Sequence, residues 1–170
     1  MPKSEVIDID HGWRRIASTL KWLRRSYTKV GFPQTGRAGA PRRKRGKMPQ
    51  DMSGVVTVAA VHVFGAPKRN IPQRDFFRPS IDGAKKRIAR LQTREYNKLL
   101  DGTITVREGL SVIGEYTTNV VKKGIRDLKL PPLAPSTLAR KRSRYNDNNP
   151  NPLIDTGQML QSVQHQEVIK

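Results

Sequence analysis

Apolar residues recur at helical spacing in two long segments that follow each other along the chain. The first begins at Asp82 and runs to about Leu100, and the second begins near Thr105 and runs to residue 127. The apolar positions are Ala84, Ile88, Leu91 and Leu99 in the first segment and Val106, Leu110, Ile113, Val120, Val121 and Ile125 in the second. Lysines and arginines occupy the other faces of the first segment. The pattern predicts a helical hairpin over residues 82–127.

Local signals mark the turn between these two helices. Asp101-Gly102 ends the first helix, because glycine readily adopts the left-handed conformation that closes a helix. Thr105 and Glu108 have the spacing of a capping box, in which each side chain satisfies a free backbone N–H of the other. The second helix is therefore expected to start at this pair.

Shorter elements are predicted on the N-terminal side. Apolar spacing over residues 10–25 predicts an amphipathic helix with Asp10 as its N-cap. Tyr27 to Phe32 has strand character. Residues 55–64 form an apolar run rich in β-branched residues, for which propensity favours a strand but periodicity and length also allow a buried helix.

The C-terminal third predicts further short elements after an ordered loop or extended segment over residues 67–79. Ser136 is the expected cap of a short basic helix that ends at Ser143. Asp155 precedes Gln158 by three residues, a second capping-box spacing that predicts another short helix. Alternating residues over 163–169 are consistent with a strand.

These elements predict an α+β fold: a small mixed domain with a long helical hairpin, a short antiparallel sheet and an extended basic arm. The 170 residues are expected to form a single domain, 1–170, since this length suffices for one buried core. Within it we distinguish the N-terminal helix at 10–25, a flexible basic arm at 34–53 and the core at 55–170.

Charge changes this picture more than any other property of the composition. Thirty-three Lys and Arg residues against fourteen Asp and Glu give a net charge of +19, which calls for an anionic partner. The densest cations lie in the arm, where we predict contact with DNA or with an acidic protein. These residues are Arg37, Arg42, Arg43, Lys44, Arg45 and Lys47.

Candidate catalytic chemistry is sparse. The chain has no cysteine, and His11, His62 and His165 belong to no ligand-spaced pair. Asp8, Asp10 and His11 suit a cation in principle, but acidic residues at a helix N-terminus explain them better. No phosphate-binding glycine loop or hydrolase motif occurs. We expect no enzyme activity, no cofactor and no metal site, and no apolar run is long enough to span a membrane.

Three segments carry a resemblance to a known family. They are Val61-His62-Val63-Phe64-Gly65, then Ile71-Pro72-Gln73-Arg74-Asp75-Phe76, and finally Pro152 to Ser162 with Asp155-Thr156-Gly157. Together they resemble the tail-completion and head–tail joining (neck) proteins of tailed bacteriophages, of the virion-morphogenesis type. The segment from Pro132 to Arg142 resembles that family's linker. Two positions depart from its pattern: Val63 stands where an acidic residue is usual, and Asp75 where proline or serine is commoner.

The resemblance covers roughly residues 55–163 and implies a structural virion protein. Such a protein forms an oligomeric ring, hexameric or dodecameric, that joins the tail to the capsid connector around the DNA channel. Its expected partners are copies of itself, the neighbouring connector and tail-terminator or tail-tube proteins, and genomic DNA in the lumen, with no membrane. The chain would be synthesised in the host cytoplasm and located at the head–tail junction of the virion.

The resemblance also implies which residues take part in contacts between subunits. They are His62, Phe64, Gly65, Pro72, Arg74, Phe76, Asp155, Thr156 and Gly157. For the 55–64 run it favours a short helix at 57–62. The alternative functions are a free basic nucleic-acid-binding protein and a phage assembly chaperone.

Overall fold

The computed structural model describes residues 12–32, 52–145 and 150–169. This part of the chain contains six α-helices and two strands, which confirms the predicted α+β class. The helices are α1 (Trp13–Leu23), α2 (Met52–Phe64), α3 (Phe77–Asp101), α4 (Val106–Asp127), α5 (Pro135–Tyr145) and α6 (Gln158–Ser162), and the strands are β1 (Tyr27–Gly31) and β2 (Gln164–Val168). A 3-10 turn at Pro67–Arg69 follows α2.

Helices α3 and α4 pack together as the predicted hairpin. Gly102 ends α3 in the left-handed conformation, with φ of 76°. The capping box at the start of α4 is confirmed: the Thr105 N–H donates to the Glu108 carboxylate at 2.7 Å, and the Glu108 N–H donates to the Thr105 hydroxyl at 3.3 Å. The end of α3 and the start of α4 are therefore both fixed by residues of the turn, as the sequence predicts.

Helix α3 begins five residues earlier than predicted, at Phe77 instead of Asp82. The Asp75 carboxylate accepts the backbone N–H groups of Phe77 at 3.0 Å and Arg78 at 3.1 Å, so it satisfies two free donors of the first turn. Pro79 lies inside that first turn, where a missing N–H costs nothing. The prolines of 67–79 therefore do not keep the whole segment extended.

The two predicted strands form an antiparallel ribbon that packs on α4. Its register pairs Tyr27 with Val168 and Gly31 with Gln164. A two-stranded ribbon is marginal alone in water, so its contact with α4 is what stabilises it.

The open assignment of residues 55–64 is settled as helix α2. Val55 and Ala59, 6% and 4% exposed, face a core that α4, α6 and the loop before α6 complete. The buried members of this core are Val55, Ala59, Phe76, Val121, Ile125, Leu153, Met159 and Val163. Packing thus overrides the β propensity of the run.

Two predicted caps are wrong. Helix α5 begins at Pro135, and the Ala134 carbonyl accepts the N–H groups of Thr137 and Leu138, so Ser136 lies inside the helix. Helix α6 begins at Gln158 with Gly157 at the N-cap, so Asp155 lies too far upstream to form a capping box with Gln158. Asp10, the predicted cap of α1, lies outside the described residues. None of the described helices is long and apolar enough to cross a membrane.

Candidate subunit interface

The first two motif segments meet at a tight reversal after α2. Ala66 and Ile71 exchange backbone hydrogen bonds of 2.9 and 3.1 Å, and the Arg74 N–H donates to the His62 carbonyl at 2.6 Å. Gly65 has a φ of 74°, and a Cβ at this position would lie 3.1 Å from the Gln73 nitrogen. Only glycine fits there without strain, so Gly65 is what lets the chain return along the end of α2.

Arg74 joins this reversal to the linker before α5. Its side chain is buried, with the residue 6% exposed. Nε donates to the Pro131 carbonyl at 2.9 Å and an Nη donates to the Pro132 carbonyl at 3.0 Å. Burial lowers the pKa of the Arg74 guanidinium, which nevertheless stays charged at neutral pH. A single side chain therefore positions two loops that are far apart in sequence.

His62 lies beside Arg74 and is partly buried. Burial lowers the pKa of the His62 imidazole, and the positive charge of Arg74 lowers it further. Its Nδ1 atom has no hydrogen-bond partner among the described residues. His62 is therefore a neutral group near pH 7.

The other two residues of the second motif have opposite environments. Phe76 is 1% exposed and makes edge contacts with Phe32 and Phe77, each with ring centroids 6.4 Å apart. Pro72 lies exposed in the loop. Phe76 is thus a core residue, and only Pro72 of this pair is accessible to a neighbouring molecule.

The third motif is held in place by two residues that sequence reasoning did not single out. Asn151 donates to the carbonyls of Ile125 and Arg126 at the end of α4, at 3.0 and 2.6 Å, and its Oδ1 accepts the Leu153 N–H at 2.8 Å. Lys141 on α5 donates to the Ile154 carbonyl at 2.6 Å. The sequence offers a weak signal for the role of Asn151, because it is a polar residue at the end of an Asn-Pro loop. It offers none for Lys141, which looks like its solvated basic neighbours.

Asp155, Thr156 and Gly157 lie at the start of α6. Asp155 and Thr156 are exposed, and the Thr156 hydroxyl accepts the Gln158 N–H at 3.4 Å. Gly157 takes the left-handed conformation, with φ of 73°. The turn directs Met159 and Val163 into the core that also contains Phe76. All three motif segments therefore contribute side chains to one hydrophobic core.

One side of α2 is apolar and accessible. We call it the α2 face, and it consists of Gly54, Thr57, Val58, Val61 and Phe64. Val58 is 49% exposed and Phe64 is 75% exposed. Leu130, which precedes the linker that Arg74 holds, is 74% exposed. A helix that is hydrophobic on all sides is normally buried on all sides, so the exposed α2 face is a candidate contact surface.

Several predicted contact residues cannot be placed. The arm residues Arg37, Arg42, Arg43, Lys44, Arg45 and Lys47 lie outside the described residues, as do Asp8, Asp10 and His11. Across 12–32, 52–145 and 150–169, no group of three His, Cys, Asp or Glu residues is arranged to hold a metal ion.

No protein-family model matches the chain, and neither a curated protein nor a solved structure matches it with significant similarity.

Proposed function

We propose that this protein is a structural virion component of the head–tail interface, in which several copies form a ring that joins the tail to the capsid connector around the DNA channel. The observation that carries the proposal is the α2 face, an exposed apolar surface built on the segments that resemble neck proteins. It supplies what a ring subunit needs, namely a surface for another copy of itself.

Electrostatics favours self-association at this face over any other. Copies with a net charge of +19 repel one another wherever their basic surfaces approach. Residues 52–67 contain no charged side chain, so the α2 face itself adds no like-charge repulsion when two copies approach through it. Phe64 and Val58 lose their exposed apolar area in such a contact, which is favourable in water.

Six residues of the first two motif segments then have a structural role in the ring. Arg74, Gly65 and Phe76 build the support under the α2 face, and Phe64, Pro72 and His62 meet the neighbouring copy. The basic arm reaches DNA in the lumen or acidic surfaces of the adjoining connector and tail proteins. Assembly in a ring concentrates these arms, so weak single contacts combine into a strong one. This structural role requires no catalytic residue.

A free nucleic-acid-binding protein is the second candidate. The observation that favours it is the charge of the described helices, since α1 carries basic residues and no acidic ones. That function predicts tight DNA binding by the isolated monomer with a steep dependence on salt. The neck function predicts weak binding in solution and firm incorporation into particles.

Localisation tests the proposal directly. Antibody-gold labelling of intact tailed particles from the source that encodes this chain should place gold at the head–tail junction. An antibody against the capsid provides the control for particle integrity. Absence of label, with the protein detected in infected cells and the epitope accessible, would exclude the neck function and leave the free binder or an assembly chaperone.

A further inference from the structure

A second surface lies between the first half of α3 and the second half of α4. Unlike the apolar α2 face, it carries charged residues. It is an open groove of about 520 Å³, which we call the hairpin groove. Arg87 on α3 and Lys123 and Arg126 on α4 line it, together with the polar side chains of Tyr116 and Asn119. Asp127 is the acidic residue in its lining. Small and apolar residues, among them Ala84 and Val120, complete the lining. The charged groups of the groove are therefore mostly cations, set beside hydrogen-bonding and apolar side chains.

A row of cations continues along α3 beside the groove. Lys86, Arg90 and Arg94 follow one another at intervals of four residues and are all exposed. On a helix this spacing places them on one side, over a length of about 12 Å at 1.5 Å per residue. We call these three residues the α3 ridge. Arg94 is paired with Glu95 but remains 62% exposed, so it is still accessible to an anion.

The other cations lack partners within the described chain. Lys86, Arg87, Arg90, Lys123 and Arg126 form no ion pair with any described residue. Close unpaired cations repel one another, and a bound polyanion removes that repulsion while releasing its own counterions.

We propose that the hairpin groove and the α3 ridge bind the phosphate backbone of double-stranded DNA. A strand of duplex DNA carries one phosphate per roughly 3.4 Å of axis, so a 12 Å ridge spans about three to four phosphates. Arginine forks suit phosphate oxygens. Among the groove residues Tyr116 is the one aromatic side chain, so no row of stacking surfaces for the bases of a single strand is present. Contact of this kind positions the duplex without reading its sequence.

The groove and ridge are the surfaces that would face DNA in the channel of the proposed ring. The biological setting of this DNA contact therefore rests on the proposed function. The contact differs from the predicted role of the arm, since the groove and ridge are rigid helix surfaces and do not depend on residues 37–47.

Charge-matched variants of the full chain test the inference. The groove variant is Arg87→Gln/Arg90→Gln/Lys123→Gln, and the control is Arg24→Gln/Arg25→Gln/Lys68→Gln, which removes the same charges from exposed positions elsewhere. Binding to a labelled 30-base-pair duplex is followed by fluorescence anisotropy from about 50 to 200 mM salt. We expect the groove variant to lose about tenfold or more in affinity at 100 mM salt, with a salt slope smaller by two to three. The control should lose less than about threefold.

Other results overturn the inference. Equal losses in the two variants mean that net charge alone drives binding. Unchanged DNA binding with reduced binding of polyglutamate assigns the groove to an acidic protein. As a control for folding, the melting temperatures of both variants should equal that of the wild type. Failure here is distinct from failure of the neck function, because gold labelling of particles decides the latter whatever the affinity for DNA.

Discussion

At the scale of single residues, Arg74 has the largest structural consequence of the motif side chains. Its two hydrogen bonds reach carbonyls 57 and 58 residues away in sequence. A buried guanidinium that satisfies two backbone acceptors replaces the water that each acceptor would otherwise bind. Arg74 thereby fixes the position of Leu130 and the linker relative to α2.

Replacing Arg74 with alanine should lower the free energy of unfolding by about 2 to 4 kcal/mol, because a buried side chain and its two charge-assisted hydrogen bonds are lost. Arg74→Lys should recover part of that loss, since an ammonium cannot reproduce the planar fork. Urea unfolding followed by circular dichroism measures both. Equal stability of the alanine variant and the wild type would show that these hydrogen bonds are replaced by water at no cost.

Glu95 gives a prediction of pH dependence. The residue is 1% exposed and accepts hydrogen bonds from Arg94 at 2.8 Å and Lys98 at 3.1 Å. Burial raises the pKa of the Glu95 carboxyl, but the hydrogen bonds and charges of Arg94 and Lys98 outweigh burial and leave the pKa below its ordinary value. The folded state therefore favours the ionised form.

The stabilisation from Glu95 should be complete above the unfolded pKa of about 4.3 and disappear as the pH falls through the lowered folded pKa. Glu95→Gln should cost about 1 to 2 kcal/mol at pH 7, and this cost should shrink as the pH falls below the unfolded pKa toward the lowered folded pKa. Thermal unfolding of both proteins from pH 7 to pH 3 measures the difference. A gap that stays constant with pH would contradict this account.

At the scale of elements, α4 is the helix on which the rest of the described chain is organised. It packs against α1, α3, α6 and both strands. Gly124 is one of the reasons it can do so. A Cβ at Gly124 would overlap the Ser80 side chain and lie 2.9 Å from the Phe76 carbonyl oxygen. The start of α3 can therefore approach α4 only because residue 124 has no side chain.

Two glycine substitutions in α3 and α4 should change the free energy of unfolding in opposite directions. Gly124→Ala should destabilise the protein by about 1 to 3 kcal/mol, because α3 must move away from α4. Gly83→Ala on α3, where nothing lies within 4 Å of the new methyl, should stabilise it by about 0.5 to 1 kcal/mol through helix propensity. Denaturant midpoints of the two variants test the pair. Stabilisation by both would mean that the approach at Gly124 is looser than the structure indicates.

At the scale of the whole molecule, the distribution of charge separates two surfaces. The α2 face is uncharged and apolar, whereas the hairpin groove and α3 ridge are basic. In a ring, the first suits contact between copies and the second suits the DNA in the channel. The strongly basic composition thus limits where like copies can meet as well as what they bind.

Phe64→Ser should reduce incorporation of the protein into particles by about tenfold, because a central aromatic anchor of the proposed contact is lost. Stability should change by less than about 0.5 kcal/mol, since Phe64 is 75% exposed. Trp13→Ser is the matched control, since Trp13 is 70% exposed and lies on α1. Mass spectrometry of particles complemented by each variant measures incorporation. Normal incorporation of Phe64→Ser would rule out the α2 face as the subunit contact.

Local sequence signals determined the parts of this protein whose physics is local. The spacing of apolar residues predicts the α3–α4 hairpin, and Gly102 and the Thr105–Glu108 box predict its turn. Strand character at Tyr27 to Phe32 predicts β1, and alternation over 163–169 predicts β2. At the α3–α4 turn, the residues that form it also carry the chemistry that ends α3 and starts α4. The sequence also fixes the net charge and the uncharged run from 52 to 67.

Tertiary structure decided what depends on distant residues. Residues 55–64 become a helix because Val55 and Ala59 meet Met159 and Val163, a contact that no local propensity contains. Asp75, not Asp82, starts α3, because the loop that Arg74 anchors turns its carboxylate toward the first N–H groups. Lys141 and Asn151 look like solvated polar residues in the sequence, and the family resemblance implies a subunit contact for Arg74. Each is nevertheless buried against backbone carbonyls from elsewhere in the chain. Burial of a polar group is a property of its surroundings, and the surroundings exist only once the chain has folded.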